Sequence, residues 1–510
     1  MKTRTSVTDD GIRQGCNHDR SIGFLVTYPR DLAAFTCVLS IIVSAIGCGS
    51  STEGRIGSGV LFVPAGQQDE VAYRAAGVGG GGVVVLGKSS GDLDLGGGQQ
   101  AKGGMFVLRL DRDGRYLWDS RFSGFVGPAD LDGRFGNEGI GFPTGAIASG
   151  SGDNVFVAGS FGGDTDFGGG VRSSHLSDYP QFGAALDVVV LKLAPDGQRL
   201  WDWTFGQDYF ESFATEIAAG PDGGAVVAVM RHPDSTFCNA DPYWGPMLCD
   251  GSEAILVKLS ADGVPVWQDV LPGGYVTGLA IDAAGNVLVA SRCHFLKIRP
   301  DGTHAFDVDG LICGGTGLAL HDDNVFFTGN AGAASTDPKP SLQSRADGTA
   351  STIQVLPTPI VADPRLTLRS QADGSVLWNR ALPILPTRVR ADSEGNVVLL
   401  SDVVYGYSGV SLAGGTYDFG CGALKVEYMG VVAAVLDGSG VCRSDYVSES
   451  VGGFIRGLDV APSGDRFAWV IGGFAGEVLF ENGYRTGTRT YDSNPHGEDS
   501  QDVFVERFDF

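Results

Sequence analysis

The stretch Phe106-Val107-Leu108-Arg109-Leu110-Asp111-Arg112-Asp113-Gly114-Arg115-Tyr116-Leu117-Trp118 reads as a strand, a tight Asp-Gly turn and a returning strand that carries an aromatic ring. Trp118 stands four residues past Gly114, and the same spacing recurs in Gly197/Trp201, Gly263/Trp267 and Gly374/Trp378. Gly302/Phe306 and Gly438/Cys442 keep the spacing with another residue in place of Trp. Ahead of the glycines stand Leu108, Leu191, Val257, Leu296 and Leu368, followed in each case by Arg109, Lys192, Lys258, Lys297 or Arg369. Leu110, Leu193, Leu259 and Ile298 come next. Apolar and basic residues therefore alternate with period two, so one strand face is buried and the other carries a cation. The Asp-Gly pair predicts a two-residue hairpin turn, with glycine supplying the positive φ.

A second motif precedes each hairpin: an apolar strand, a Gly/Asn/Asp turn and another apolar strand. Ile281 to Val289 and Val389 to Val398 are examples; others centre on Asp153-Asn154, Asp222-Gly223, Asp323-Asn324 and Ser463-Gly464, and Gly81-Gly82 before Val83 is the first. Seven copies of about four strands each predict an all-β chain, a seven-bladed β-propeller with four-stranded blades. The units fall at 78–146, 147–216, 217–277, 278–316, 317–387, 388–456, and 457–510 with 55–77. Val60 to Val63 and Glu70 to Tyr73 read as the second half of a repeat, and Val503 to Phe510 aligns with Phe106 to Asp111 and stops before a turn glycine. Pairing the N- and C-terminal strands would close the ring and remove its open edge. The fourth unit is the shortest, and residues 330–365 form an irregular Ser/Thr/Pro/Ala-rich excursion.

The 510 residues include 79 glycines, which suits a chain of turns, and a single propeller accommodates that length. The formal charge of −24 argues against nucleic acid and against anionic lipid headgroups as partners. Leu32 to Gly47 is a sixteen-residue apolar run ending at Cys48, short for a membrane span and suited to a secretory signal. Ala45-Ile46-Gly47-Cys48 resembles the lipobox of bacterial lipoproteins, in which the signal is cut before the cysteine and that cysteine is lipidated. Gly49 after it resembles outer-membrane sorting in Gram-negative bacteria. The resemblance implies a leader and signal peptide over 1–47, a tether over 48–54, a propeller over 55–510, and membrane attachment through the lipid alone. The polar leader before the apolar run points to translation from Val26, and a single uncleaved anchor is the alternative.

With the Gly-Asn-Val strand, the Asp-aromatic-Gly-Gly loops (Asp94 to Gly98, Asp166 to Gly170, Asp418 to Gly422) and the Lys-Leu-Asp-type hairpin in hand, residues 55–510 resemble the seven-bladed propeller repeats of predicted bacterial surface lipoproteins. That resemblance implies fold and location at the outer membrane or cell surface, and little about activity. The run Ala372 to Trp378 is also similar to the tryptophan-bearing repeat of quinoprotein dehydrogenases, where it is structural, and no adjacent cysteine pair accompanies it.

Beyond Cys16, Cys37 and Cys48, six cysteines remain. An even number in an exported chain favours disulfides, for which fifteen connectivities exist. Chain proximity suggests Cys238–Cys249, Cys293–Cys313 and Cys421–Cys442, the last replacing a missing Trp at the Cys442 position. Metal binding by these cysteines is the alternative, though no Cys-x-x-Cys pair occurs. Asp130, Asp132, Asn137 and Glu138 offer hard oxygen ligands for Ca²⁺ without EF-hand spacing, and Asp92/Asp94 and Asp164/Asp166 are further acidic pairs. Ordinary Asp turns are the plain alternative, and no other cofactor is expected. Tyr243 and Trp244, between Cys238 and Cys249, could stack on a sugar or anchor a protein. The expected function is that of a monomeric, lipid-anchored scaffold binding a protein or glycan, with no catalytic residues. An envelope enzyme (a quinoprotein-like oxidoreductase or a glycan-acting hydrolase or lyase) and an outer-membrane assembly scaffold are the alternatives.

Overall fold

The computed structural model describes residues 52–56, 59–63, 65–66, 70–89, 93–98, 104–122, 125–126, 145–176, 185–233, 238–239, 248–249, 252–271, 275–291, 294–309, 317–330, 363–403, 415–463, 466–480, 485–487 and 502–510. Among these residues the chain is all-β, with no α-helix. The strands form successive antiparallel meanders of four. The first comprises Glu70–Gly77, Val83–Ser89, Gly104–Leu110 and Tyr116–Phe122. Gly145–Ser149, Val155–Gly162, Leu186–Leu193 and Arg199–Phe205 form the second. The third takes Phe210–Ala219, Ala225–Pro233, Glu253–Leu259 and Pro265–Leu271. Gly278–Ile281, Val287–Ser291, His294–Ile298 and His304–Asp309 make the fourth, the most compact, as expected. Gly317–His321, Asn324–Asn330, Pro364–Ser370 and Val376–Ala381 follow as the fifth.

The sixth sheet is Arg388–Ala391, Val397–Val403, Gly430–Leu436 and the first part of the long strand Cys442–Pro462. The rest of that strand begins the seventh sheet, beside Phe467–Leu479 and Asp502–Asp509. Gly59–Val63 completes it, with Val60 opposite Arg507 and Phe62 opposite Val505, as the pairing of chain ends requires. Thr52–Ile56, which straddles the expected boundary between tether and propeller, pairs outside it. The inner strand of each sheet lies against the inner strand of the next, and that of the seventh lies against Glu70–Gly77 of the first.

Second and third strands are buried on both faces and read as continuous apolar runs. Val83 to Leu86 and Val188 to Leu191 are fully buried. Outer strands are half exposed: Leu117, Leu200, Val266 and Leu377 stand at one repeat position and keep 50 to 57% of their surface. Core clusters run between adjacent sheets: Val84 and Val107 of the first pack with Val157 and Val189 of the second.

Four expectations are corrected. Glu70–Gly77 belongs to the first sheet, pairing with Val83–Ser89, and Phe210–Ala219 to the third, so these two sheets begin one strand earlier than the unit boundaries drawn from the turns, whereas the boundaries at 278, 317 and 388 coincide with the first strands of their sheets. The hairpin turn is longer than two residues. Gly114 N–H donates to Asp111 O, the Asp111 N–H donates to Arg115 O, and Gly114 alone has positive φ (75°), whereas a two-residue type I′ turn needs two such residues. In the fifth sheet the turn holds one more residue, since Gly374 N–H reaches back to Ser370 O. Arg369 therefore sits opposite Val376, where the first sheet has Leu110 opposite Tyr116. Finally, the left-handed glycine of the sixth hairpin is Gly440 (φ 83°), not Gly438, so Cys442 matches Tyr116 and Ser444 takes the Trp position.

Candidate functional site

The repeated Trp and cation join one sheet to the next. Trp118 Nε1 donates to Pro195 O at 2.8 Å, Trp201 Nε1 to Ala261 O at 2.8 Å, Trp267 Nε1 to Pro300 O at 3.0 Å and Trp378 Nε1 to Gly438 O at 3.3 Å. Each acceptor lies in the following sheet's hairpin turn, two residues before its left-handed glycine. The glycine is needed twice over there: a Cβ on Gly197 or Gly263 would stand 2.8 or 2.7 Å from the Trp ring of the preceding sheet. The cations reinforce these seams. Arg109 Nη1 also donates to Pro195 O, at 2.9 Å, and Lys192 Nζ to Ala261 O, at 3.1 Å. Arg507 Nη1, in the last strand, donates to Arg112 O in the first hairpin turn at 2.7 Å. The seventh sheet is thereby tied to the first, with Ser463 Oγ donating to Gly82 O at 2.7 Å.

Where the inner strands converge, the sheets depart from the repeat. In the first, third and seventh sheets, one extra residue shifts the register before Arg74, Glu216 and Asp459. Such a bulge bends the strand and re-aims the side chain that follows. In the third, fourth and sixth sheets a threonine stands there and its hydroxyl donates to the second strand: Thr215 to Ala228 O, Thr277 to Ala290 O and Thr387 to Leu400 O, at 3.3, 3.4 and 3.2 Å. The next residue, by register, is Arg74, Ala146, Glu216, Gly278, Gly317, Arg388 or Asp459. Four are charged and three are as small as residues come. Two residues further on, Arg390 stands where the other six sheets have alanine.

These charges act on one another. Asp459 is fully buried; its carboxylate accepts from Ala75 N–H of the first sheet at 3.1 Å and lies 3.2 Å from Arg390 Nη2 and 3.8 Å from Arg388 Nε. Burial opposes the Arg390 charge, but Asp459 and then Glu216 outweigh it and hold its pKa above the ordinary value. Arg74 is only 3% exposed, and Tyr73 O is the acceptor of its Nη1 at 3.1 Å, while its buried Nε has no hydrogen-bond partner. Burial, and next the like charge of Arg388, bring Arg74 down to about 9, although Glu216 and Asp459 pull the other way. Asp402, on the second strand of the sixth sheet, accepts from Gly457 N–H at 2.6 Å. Burial pushes its carboxyl up to about 6 against the pull of Arg456, that N–H and Arg388.

None of these charged residues is among those expected to carry function. Cys48, Asp130, Asp132, Asn137, Glu138, Tyr243, Trp244, Cys293 and Cys313 lie outside the described residues, as does Asp92. Cys238 stands opposite Cys249 in a short antiparallel pair, the backbone placement that their proposed bond needs. Cys421 and Cys442 are bonded, with Cα atoms 5.3 Å apart. Cys421 is the fourth residue of the loop beginning at Asp418; in the corresponding loops Gly97 lies against Tyr116 and Gly169 against Arg199. Cys442 occupies the Tyr116 and Arg199 position, so the bond replaces loop-on-side-chain packing and not a Trp.

Asp94 and Asp166, one member of each acidic pair at these loops, are turn caps. Asp166 Oδ1 accepts from the N–H groups of Gly168, Gly169 and Gly170 at 2.8, 3.1 and 3.0 Å, and the Gly168 bond foremost lowers its pKa. Asp164 instead accepts from the Ser173 hydroxyl at 2.6 Å. Among the described residues no group of three or more His, Cys, Asp or Glu side chains is placed to hold a metal ion.

No family model matches the chain, and no curated protein matches it. Among solved structures, a protein of unknown function from Bacteroides caccae is similar at 9% identity with a TM-score of 0.32, over 74% of this chain and 93% of that one. The Pan2 WD40 domain from Neurospora crassa is similar at 10% identity with a TM-score of 0.38, over 86% of this chain and 88% of that one.

Proposed function

We propose that the sheets close into a seven-bladed β-propeller, anchored by lipid on Cys48 at the outer membrane or cell surface of a Gram-negative bacterium, and that it serves as a monomeric binding scaffold for a protein or glycan. The observation that carries closure is the seam between the last sheet and the first, where Arg507 reaches Arg112 O, Ser463 reaches Gly82 O and Asp459 receives Ala75 N–H. A ring so bracketed has no free sheet edge at its junctions and can present its connecting loops rigidly. The loop between Cys238 and Cys249, with Tyr243 and Trp244, is the binding element of this reading. The acidic charge keeps such a protein soluble and unattracted to nucleic acid.

The reading is tested by metabolic labelling with an alkyne fatty acid together with capture of envelope partners. Label is expected on the wild type and not on Cys48→Ser, and captured protein or glycan should be lost with Trp244→Ala. An unlabelled wild type in the soluble fraction would overturn the anchor, and identical capture by Trp244→Ala would overturn the loop.

A further inference from the structure

We propose that the place where the inner strands converge binds a small molecule through a carboxylate or phosphate group, held by Arg74, Arg388 and Arg390. The inference goes beyond the scaffold reading and requires neither the lipid nor a macromolecular partner.

Arg74 and Arg390, from the first and sixth sheets, interact with Glu216 of the third and Asp459 of the seventh, while Arg388 lies by Asp459 and acts also on Asp402. The carboxylates do not use up the guanidinium groups. Asp459 is engaged by Ala75 N–H, by its neighbour Val460 N–H at 2.9 Å and by Arg390. Among the described residues Arg74 has no carboxylate within ion-pair distance and its buried Nε has no hydrogen-bond partner, while its Nη1 is met by the carbonyl of the adjacent residue. Arg388 Nε is likewise buried without a hydrogen bond, 3.8 Å from Asp459 Oδ1, while its Nη1 donates to Thr387 O at 2.9 Å.

A buried guanidinium without an anion is costly, and the fold does not need one here, since the equivalent residues of other sheets are Ala146, Gly278 and Gly317. Arg388 and Arg390 keep 18 and 28% of their side-chain surface exposed, so an ion from solvent can reach them. Planar, multiply donating guanidinium groups suit a carboxylate or a phosphate better than chloride.

Isothermal titration of the purified chain with inorganic phosphate and, separately, with succinate tests the proposal. Saturable binding of at least one is expected, and the one that binds identifies the head group. Arg74→Gln should weaken that binding at least tenfold, and Glu216→Gln, which removes a competing carboxylate, should strengthen it. Arg74→Lys, which keeps the charge if Arg74→Gln fails to fold, should retain binding weakened several-fold. No saturable binding of either anion to the folded wild type would overturn the proposal, as would equal affinity in wild type and a folded Arg74→Gln.

Discussion

At the scale of single residues, identity at a repeat position decides between holding the fold and leaving a charge to be used. Trp201 shows the first role: its ring covers Gly263 of the next sheet and its N–H is satisfied by Ala261 O. Trp201→Ala removes both and is expected to cost about 2–4 kcal/mol in urea unfolding. Gly263→Ala, at φ 78° and beneath the ring, should cost roughly 1–3 kcal/mol, and an unchanged midpoint in either would contradict the bracket. Asp402 shows instead how burial sets a protonation state. Its folded pKa, about 6, lies above the ordinary carboxyl value, so its protonated form is the one the fold favours. Its contribution is fully present below the unfolded pKa near 4 and is lost as pH rises through about 6. Infrared spectra at pH 5 should show a protonated carboxyl band that Asp402→Asn removes, and that variant should lose less stability than wild type between pH 4 and 7.

At the scale of elements, the loop and hairpin of the first, second and sixth sheets form a matched pair. The loop's aspartate caps its own glycines, its apolar residue (Leu95, Phe167 or Phe419) is buried, and its fourth residue meets the hairpin. In the sixth sheet that meeting is the Cys421–Cys442 bond, spanning 21 residues, and its removal by paired alanines should cost about 3 kcal/mol on the chain-entropy model. Cys421→Gly with Cys442→Tyr rebuilds the pairing of Gly97 with Tyr116 and should recover part of that loss in thermal unfolding. No recovery would show the loops are not equivalent.

The hairpins were legible because period-two alternation and a left-handed glycine leave a strong mark on sequence. What sequence counting missed was the turn's true length. One extra residue before Gly374 and the choice between Gly438 and Gly440 moved Arg369 and Cys442 off their assigned positions, because register depends on hydrogen bonding that spacing alone does not reveal. The convergent charges were overlooked although a signal existed. Thr215-Glu216 and Thr387-Arg388 interrupt a series that includes Thr277-Gly278 and Thr316-Gly317, and Arg390 interrupts a column of alanines. Reading them required knowing that these positions from distant repeats face one another.

At the scale of the whole molecule, the chain ends share one sheet, which is what the proposed closed ring requires. Gly59–Val63 lies beside Asp502–Asp509 although more than four hundred residues separate them, and the pair buries Phe62 with Val505 and Trp469. The most direct test is resonance energy transfer between dyes attached through non-natural amino acids at Gly59 and Asp509, followed through urea unfolding. Cross-strand neighbours lie about 5 Å apart, so near-complete transfer is expected in the native protein, lost in the same transition that unfolds the sheets. Low transfer from a chain with an intact β-sheet signal would place the ends apart and contradict the closed ring.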